Sequence, residues 1–534
     1  MRYSRAIGPF IGFLFVLLGL LFIRKAGIHY DAGYELGCFY SCTDPAFTFT
    51  TPGHRIPVMI LPYVGALKAW LYWPILQYLD LDLISLRLPL LLTGAVTVWL
   101  TFVLLEKING RRAAIIGALL LATDVVFVIT TTYDFGPIVL LHCFLIAGWL
   151  LLLRFERTRS LWSLSAAFFL FGLALWHKAL FIWMLDGLAI AGFAAFHRRI
   201  LPLISPARVA VAFLSLGIGA SPLIYYNVVR DGATLHTSSV MSGNAPLTQK
   251  VLLLRKTLDG SAMFGWLTEE ETPGTVPPPR HFWEPYTLRL DRVIGFPSSN
   301  GMLFAFTAAC CLVPWLWFTP QRLPAVFTLV YLVVTWGQMV IVPNTGATLH
   351  HVILLWPFPH ILIAIAFSEI SRRFHKYGAK LIPCAVVLLL VSNLLLINRY
   401  YADLILNGTT VIWTDAVIPL HKYIEYRHQP HVITVDWGYA TTLCLLGDGD
   451  LHLDNISYTL LGPSEKEVAW IRDLMDDPQS LFIDHLSNGT QFFAARRNLA
   501  SIAAKAGRRR EVQEIILDRN RRPRFEVFHY VPVQ

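Results

Sequence analysis

The sequence predicts a polytopic α-helical membrane protein that carries an α/β domain at its C-terminal end. Of its 534 residues, 55% are hydrophobic and only 15% are charged, against about 25% charged residues in a typical soluble domain. Apolar runs of about 17 to 22 residues recur until residue 397 or so, and each is long enough to cross a bilayer core of about 30 Å. This composition excludes a protein that is soluble over its whole length.

The lengths of the apolar runs predict about eleven crossings. We interpret the first run as a retained helix rather than a secretory signal, because no small-residue cleavage site follows it. The predicted spans are residues 7–23, 84–105, 113–129, 137–153, 161–176, 179–196, 209–229, 297–318, 325–342, 351–367 and 381–397.

The charges of the short loops predict the orientation of these spans. With the N-terminus in the cytoplasm, the cytoplasmic loops carry Lys and Arg, whereas the short loops between them carry almost none. This is the positive-inside bias of membrane proteins, so the formal net charge of +9 does not indicate a nucleic-acid partner. An odd number of crossings then places the C-terminal region outside the cytoplasm.

Two domains are expected. Residues 1–401 form a transmembrane domain with a first extracytoplasmic loop at 24–83 and a large one at 230–296. Residues 402–534 alternate strand-like and helix-like segments, which is typical of a small extracytoplasmic α/β domain. The expected helices lie near 417–427, 465–475 and 492–506, and the expected strands near 431–437, 480–485, 512–518 and 524–531.

The seven cysteines do not form a disulfide framework. Four of them lie inside apolar spans, where a thiol behaves as a small hydrophobe. Cys38 and Cys42 share the first loop and are candidates for a disulfide if that loop faces an oxidising compartment.

Ionisable residues collect at the predicted outer ends of the spans. Charged groups at membrane depth or at its surface are costly to keep, so they are functional candidates. Asp31 follows the first span closely enough for its carboxylate to lie at the membrane surface, and we take it as the chemical centre. The other candidates on this face are Glu35, Lys68, Asp134, His177, Lys178, His350 and His351. Acids, bases and cations on one face indicate an active site rather than anchoring.

Each candidate also has a structural interpretation. Asp31 would be an ordinary interfacial acid, and Asp134 would cap the helix that follows it. Lys68 would snorkel from an amphipathic helix. Residues 177–178 would form a plain tight turn, and residues 350–351 would be interfacial histidines.

Other patterns carry less information. Asp80 and Asp82 form the D-x-D pair of metal-dependent sugar transferases, but in the run LDLDL chance explains the spacing. The sequence contains no P-loop, dinucleotide-binding fingerprint or nucleophile elbow. It requires no cofactor, and no pattern supports a divalent metal.

Several short elements, taken in order, resemble the polytopic GT-C glycosyltransferases, in particular the branch of the family 39 protein O-mannosyltransferases and the lipid A aminoarabinose transferases. The elements are Tyr30-Asp31, the amphipathic run 63–73, S-L-R-L-P at 85–89, G-R-R-A-A at 110–114, T-Y-D at 132–134 and W-H-K at 176–178. The chain departs from the family pattern at Ala32, where the second acid after the first span is missing, which leaves Glu35 as the nearest substitute.

The resemblance implies an integral-membrane hexosyl or pentosyl transferase that uses a polyprenyl-phosphate sugar on the extracytoplasmic face. Asp31 would be the general base of an inverting transfer, and Asp134 the second carboxylate, near the acceptor. The residues expected to bind the donor phosphate are Lys68, Lys178, His350 and His351, because cations stabilise the leaving group. Further substrate contacts are expected from Glu35, Tyr63, Tyr72, Trp73 and His177.

The expected partners are the lipid-linked donor, membrane lipid and an acceptor that is a protein, a lipid or a glycan. The expected location is a bacterial inner membrane with the active site and the C-terminus outside the cytoplasm. A transporter or flippase of a lipid-linked or anionic substrate is the main alternative, and it predicts polar residues and broken helices near the midplane. A scaffold that only displays the C-terminal domain gives no reason for the charged cluster.

Overall fold

A computed structural model describes residues 4–51, 54–240, 245–269, 278–343, 345–374, 377–427, 430–486 and 488–533. Within these residues, five helices are long and apolar enough to cross a membrane, or up to seven if each of two bent helix pairs is one span. Shorter apolar helices lie at Ala6–Phe22, Leu161–His177 and Met302–Leu316. The integral-membrane helical class is therefore confirmed, whereas the number of eleven crossings stays a prediction.

The helices of the first half follow the predicted spans, with short extra helices in the first loop. They are α1 Ser4–Phe22, α2 Tyr30–Leu36, α3 Leu67–Leu76, α4 Leu83–Asn109, α5 Arg111–Ala122, α6 Val125–Tyr133, α7 Val139–Thr158, α8 Leu161–His177, α9 Phe181–Ile200, α10 Pro206–Gly219 and α11 Ser221–Val229.

The later helices of the bundle include three that lie in the large loop. They are α12 Ala233–Val240, α13 Leu247–Leu258, α14 Glu284–Ile294, α15 Met302–Leu316, α16 Arg322–Ile341, α17 Leu349–Val352, α18 Phe358–Arg373 and α19 Gly378–Leu406. The 25-residue segment Leu349–Arg373, which contains α17 and α18, is the innermost, because its most apolar window is entirely buried.

Two predicted spans are broken by local sequence. The span at 113–129 bends by 59° between α5 and α6, where the Asp124 side chain accepts a hydrogen bond from the Phe127 N–H and so starts a new helix. The span at 209–229 is two helices, because α10 ends at Gly219 and α11 begins at Ser221, with Pro222 in its first turn.

The first loop folds into a small unit that the sequence did not predict. After α2, strands β1 Phe47–Thr51, β2 His54–Leu61 and β3 Val64–Gly65 form an antiparallel sheet in the order β1-β2-β3. The loop then passes through α3 and ends at Asp82, which caps α4 by accepting from the N–H groups of Ile84 and Ser85. Asp82 of the D-x-D pair thus has a structural role.

The C-terminal part is a five-stranded mixed sheet with helices packed on both faces. Its strands lie in the order β5-β4-β6-β8-β7, with β4 parallel to β5 and β6, and β8 antiparallel to β6 and β7. The elements are α20 Val417–Tyr426, β4 His431–Thr434, α21 Ala440–Leu446, β5 Leu453–Asn455, α22 Glu465–Asp476, β6 Ser480–His485, α23 Phe493–Lys505, β7 Arg508–Leu517 and β8 Pro523–Pro532.

Strand alternation explains the two cores of this sheet. Ile433, Phe482 and Phe528 share one core, whereas their neighbours Val432 and Leu481 share the other. Successive side chains of a strand point to opposite faces, so runs of apolar residues bury both faces under helices.

A disulfide joins the first loop to this C-terminal unit. Cys42 is bonded to Cys444, 402 residues further along the chain. A Cys42–Cys38 pair was the candidate from the sequence, and it is wrong: Cys38 is a free, buried thiol. Spacing indicated only that the two residues share a loop, and the fold brings α21 against Cys42 instead.

Candidate active site

Three of the candidate residues meet in one buried ion cluster. The Lys68 Nζ lies 2.6 Å from the Asp134 Oδ2 and 2.9 Å from the Glu35 Oε2. None of the three side chains is more than 7% exposed. We call Glu35, Lys68 and Asp134 the Lys68 clamp. It joins α2, α3 and the turn between α6 and α7.

Asp134 also makes the helix cap that was the alternative to a catalytic role. Its Oδ1 accepts hydrogen bonds from the N–H groups of Ile138 and Val139 at 3.1 and 3.2 Å, at the start of α7. The other oxygen faces Lys68, so the carboxylate serves both purposes. The snorkelling interpretation of Lys68 is wrong, because its ammonium is buried and ion-paired.

Burial and ion pairing shift the pKa values of the two clamp carboxylates in opposite directions. Burial, opposed by Lys68 and reinforced by the charge of Asp134, raises the pKa of Glu35 to about 7. Burial also opposes ionisation of Asp134, but the adjacent ammonium of Lys68 outweighs it and keeps the pKa of Asp134 below its ordinary value. The two acids together overcome burial and raise the pKa of Lys68. An ionised Asp134–Lys68 pair beside a readily protonated Glu35 is the consequence.

Lys178 lies at the turn between α8 and α9, next to the clamp. Its Nζ donates to the Gly136 carbonyl at 2.5 Å, and its backbone pairs with Val64 of β3. The backbone carbonyl of Tyr63 also holds this turn, because it accepts a hydrogen bond from the Ala179 N–H at 2.9 Å. Burial lowers the pKa of Lys178 to about 8, against the attraction of Asp31 and the clamp acids. The 177–178 segment is thus a turn, as its structural interpretation held, and it also places a cation at the site.

Asp31 differs from the clamp acids in exposure. Its side chain is 41% exposed, and its Oδ2 lies 3.5 Å from the Nδ1 of His29. That ring nitrogen accepts from the Asp31 N–H at 3.2 Å, and burial lowers the pKa of His29. A neutral His29, held against Trp413 with ring centroids 4.4 Å apart, thus fixes the start of α2 and leaves the Asp31 carboxylate open to solvent.

The two histidines of α17 lie on the other side of the 134–137 turn. The ring of His350 packs edge-on against Phe135 at 5.2 Å, and a Cβ on Gly136 would lie 2.3 Å from the His350 Cβ, so only glycine fits there. His351 is buried, with its Nδ1 2.8 Å from the Thr348 Oγ1. His350 therefore faces the site, whereas the Nδ1 of His351 is engaged within its own loop.

Of the other residues predicted to contact the substrate, some lie near the clamp and others have a structural role elsewhere. His177 is buried beside Asp134. Tyr72 is buried too, and its hydroxyl donates to the Leu86 carbonyl at 2.6 Å, so it anchors α3 to α4. Trp73 is partly exposed and packs on Phe39, with ring centroids 4.6 Å apart. The structure does not bring Trp73 to the clamp.

Sequence reasoning missed the residue that fixes the base of the first loop. Arg87 is buried, and its guanidinium donates to the carbonyls of Ile23, Ala26 and Gly27 at 2.5 to 2.9 Å. It also lies 4.5 Å from the ring centroid of Tyr133, next to Asp134. An arginine inside S-L-R-L-P at the start of a span was the available signal, because a buried guanidinium needs several acceptors.

Fold and site together define a class: a multi-helix membrane protein with a charged cluster at one end of its helices and an α/β unit joined to its first loop. Among the described residues, no group of three or more His, Cys, Asp or Glu side chains is arranged to hold a metal ion.

Comparison with known proteins agrees with this class. Residues 64–226 match the sequence model of the family described as dolichyl-phosphate-mannose-protein mannosyltransferase. No curated protein matches the chain significantly in sequence. Among solved structures, ArnT from Cupriavidus metallidurans bound to undecaprenyl phosphate is similar over 97% of both chains, with a TM-score of 0.57 and 11% identity.

Two further structures share the fold. The apo oligosaccharyltransferase of Archaeoglobus fulgidus is similar over 91% of this chain and 70% of its own, with 11% identity and a TM-score of 0.51. The arabinofuranosyltransferase AftD from Mycobacteria is similar over 99% of this chain and 40% of its own, with 13% identity and a TM-score of 0.51. The resemblance to GT-C glycosyltransferases is confirmed, and the chain has their fold.

Proposed function

We propose that this protein is an integral-membrane glycosyltransferase that moves a sugar from a polyprenyl-phosphate carrier to an acceptor hydroxyl. The observation that carries the proposal is the half-exposed Asp31 beside the Lys68 clamp and Lys178, at one end of a GT-C helix bundle. The similar ArnT structure holds undecaprenyl phosphate, which supports a lipid-linked donor.

The reaction requires a base on one side of the anomeric carbon and cations on the other. The acceptor oxygen attacks the anomeric carbon, the bond from that carbon to the phosphate oxygen breaks, and polyprenyl phosphate leaves. Asp31 takes the acceptor proton, since the two clamp acids are already bound to Lys68. Attack from the side opposite the phosphate inverts the anomeric centre. General-base assistance of this kind is worth about 10²–10⁴-fold in rate.

Lys178 and His350 are the groups that we assign to the departing phosphate, with His351 behind them. Positioned cations and donors stabilise charge that develops in the transition state. The sequence predicts a phosphate contact for Lys68 as well. Because its ammonium already contacts two carboxylates, we give it the role of holding Asp134 ionised, beside the acceptor.

The proposal includes the topology. Eleven crossings, a transmembrane domain of residues 1–401 and an extracytoplasmic domain of residues 402–534 fit the loop charges. The Cys42–Cys444 disulfide supports an oxidising compartment for both the first loop and the C-terminal unit, as on the outer side of a bacterial inner membrane.

One observation favours the transporter alternative. Asp124 lies at the break between α5 and α6, buried within the bundle and 3.1 Å from the Nε2 of His360, and paired ionisable groups at broken helices are typical of transport pathways. However, Asp124 caps α6, which explains its place without transport.

The deciding experiment is sugar release from radiolabelled polyprenyl-phosphate sugars by purified protein in detergent. Wild type is compared with Asp31→Asn and with the control Asp44→Asn, whose side chain is 92% exposed in the same loop. We expect Asp31→Asn to lose about 10²–10⁴-fold in turnover with an unchanged unfolding temperature, and the control to keep both. Equal turnover by Asp31→Asn would remove Asp31 as the base. If wild type neither binds nor consumes any carrier sugar, the transferase is wrong and transport is tested instead.

A further inference from the structure

Four aromatic side chains line a surface between the first loop and the C-terminal unit. Tyr30 packs on Trp437 with ring centroids 4.8 Å apart and on Tyr34 at 5.6 Å. Tyr458 is 56% exposed, and burial, reinforced by the phenol of Tyr458, raises the pKa of both Tyr30 and Tyr34. We call Tyr30, Tyr34, Trp437 and Tyr458 the aromatic platform.

A buried carboxylate fixes the part of the platform that belongs to the C-terminal unit. The Asp436 Oδ1 accepts from the N–H groups of Trp437 and Phe492, both at 2.8 Å. Its Oδ2 lies 2.9 Å from the Nδ1 of His485. The Phe492 ring in turn packs on Tyr458 at 5.3 Å. Asp436 thus fixes the backbone at Trp437 and at Phe492, the residue on which the Tyr458 ring packs.

Covalent and steric contacts fix the platform against the first loop. The Cys42–Cys444 disulfide ties α21 to the segment after α2, and a Cβ on Gly33 would lie 2.9 Å from the Thr442 Oγ1. Tyr30 and Tyr34 lie on α2 on either side of this contact. The platform is therefore formed before a ligand arrives, which lowers the entropic cost of binding.

The platform adjoins the proposed base. Asp31 follows Tyr30 directly in α2, and burial lowers the pKa of Lys178 against the attraction of three carboxylates, among which Asp31 has the largest effect. A molecule on the platform therefore lies next to the carboxylate that takes the acceptor proton, while Asp31 in turn lies near the cation assigned to the donor phosphate.

We infer that the aromatic platform binds the acceptor and that this acceptor is a carbohydrate. Aromatic faces pack against the C–H faces of sugar rings, and the phenol groups and Asp31 can bond the hydroxyls at the ring edge. A partly exposed, rigid set of Tyr and Trp rings with one carboxylate matches a sugar better than an extended peptide, which would need main-chain partners. This inference rests on the proposed function and names its acceptor class.

The test is direct binding to the purified full chain in detergent, measured by saturation-transfer NMR and titration. The probes are methyl glycosides of common hexoses and pentoses, a Ser/Thr-containing peptide, and undecaprenyl phosphate. The variants are Trp437→Ala and Tyr458→Ala, with Tyr426→Ala as the matched control, because Tyr426 is 80% exposed in the same unit.

We expect at least one glycoside to bind wild type and the control, with about tenfold weaker binding to each platform variant, as expected for the loss of one stacked ring. Undecaprenyl phosphate should bind all four proteins equally. The absence of glycoside binding to wild type, binding of the peptide alone, or glycoside binding that both platform variants keep would overturn the inference. If the wild type does not bind undecaprenyl phosphate, that result would instead count against the proposed function. Tyr458 is exposed enough for its variant to fold even if Trp437→Ala does not.

Discussion

The Lys68 clamp and the aromatic platform lie close together, but the carboxylates of the clamp are buried and ion-paired, whereas Asp31 beside the platform is not. In the clamp, one ammonium holds two carboxylates, and no side chain is more than 7% exposed. On the platform side, Asp31 is 41% exposed, and among the residues that the structure describes it forms no ion pair with a lysine or arginine.

This difference separates two tasks. A buried ion cluster sets geometry, because removing one partner leaves an uncompensated charge out of water. An exposed, uncompensated carboxylate remains free to accept a proton during a reaction. Substitutions in the clamp should therefore act first on stability, whereas substitutions at Asp31 and on the platform should act on turnover and acceptor binding.

The largest stability effect should come from Asp134→Ala. This change removes the ion pair with Lys68 and the cap of α7 together, and loss of one partner of a buried pair costs about 3–5 kcal/mol. Asp82→Ala is the matched control, since Asp82 caps α4 outside the clamp, and it should cost only about 0.5–2 kcal/mol. Unfolding in detergent, followed by circular dichroism, measures both. Equal losses in the two variants would mean that the clamp contributes nothing beyond a helix cap.

Cys42→Ser should come next and should affect the two regions differently. The bond closes a very long loop, and removing a native disulfide typically costs about 2–5 kcal/mol. Glycoside binding should weaken because the two halves of the platform are no longer joined, while undecaprenyl phosphate binding persists. Cys311→Ser, at an exposed free thiol, is the control. If glycoside and lipid binding fall together, the two regions do not act separately.

The clamp could be predicted in part because its members carry local signals. Asp134 and Lys68 stand out as charges beside apolar spans, and the order of short elements indicated the GT-C fold that the comparisons confirm. The ion pair between Lys68 and Asp134 was not predictable, because the two residues lie 66 positions apart in the sequence and no periodicity relates the two loops. Glu35 was predicted as a substrate contact, and only the fold places it in the cluster.

The platform could not be predicted from the sequence at all. Tyr30 and Trp437 are more than 400 residues apart. The sequence around an aromatic residue does not indicate which distant ring it will contact. The same holds for Cys42 and Cys444. Spacing predicts helices and strands, which are local, whereas contacts between distant segments depend on how those elements pack.

A smaller effect should appear in the pH dependence of stability. The pKa of Glu35 is about 7 in the folded protein, against an ordinary value of 4.5, so between these values the native state binds more protons than the unfolded state. Stability contributed by this group therefore falls as pH rises from about 4.5 to 7, by up to about 3 kcal/mol in total. The pKa of Asp134 is lowered and that of Lys68 is raised. Their contributions to the pH dependence of stability therefore lie below and above this pH range, respectively.

Glu35→Gln should flatten that part of the curve. The comparison is the unfolding temperature at pH 5 and at pH 7.5, with Glu511→Gln as a control at an exposed glutamate of β7. An unchanged slope in Glu35→Gln would show that Glu35 does not titrate within the clamp, and the division of roles between its two carboxylates would then be wrong.

The smallest effect concerns the cation between the two regions. Lys178 has a pKa lowered to about 8 by burial, so its charge is present at pH 7 and mostly lost at pH 9. If it binds the donor phosphate, the affinity for undecaprenyl phosphate should fall about tenfold over this range, which corresponds to about 1.4 kcal/mol. Lys178→Arg should remove this fall, because a guanidinium stays charged. The phosphate titrates identically with both proteins, so the ratio of their dissociation constants isolates the contribution of Lys178. A ratio that does not change with pH would leave the phosphate to the histidines and confine Lys178 to its bond with the Gly136 carbonyl.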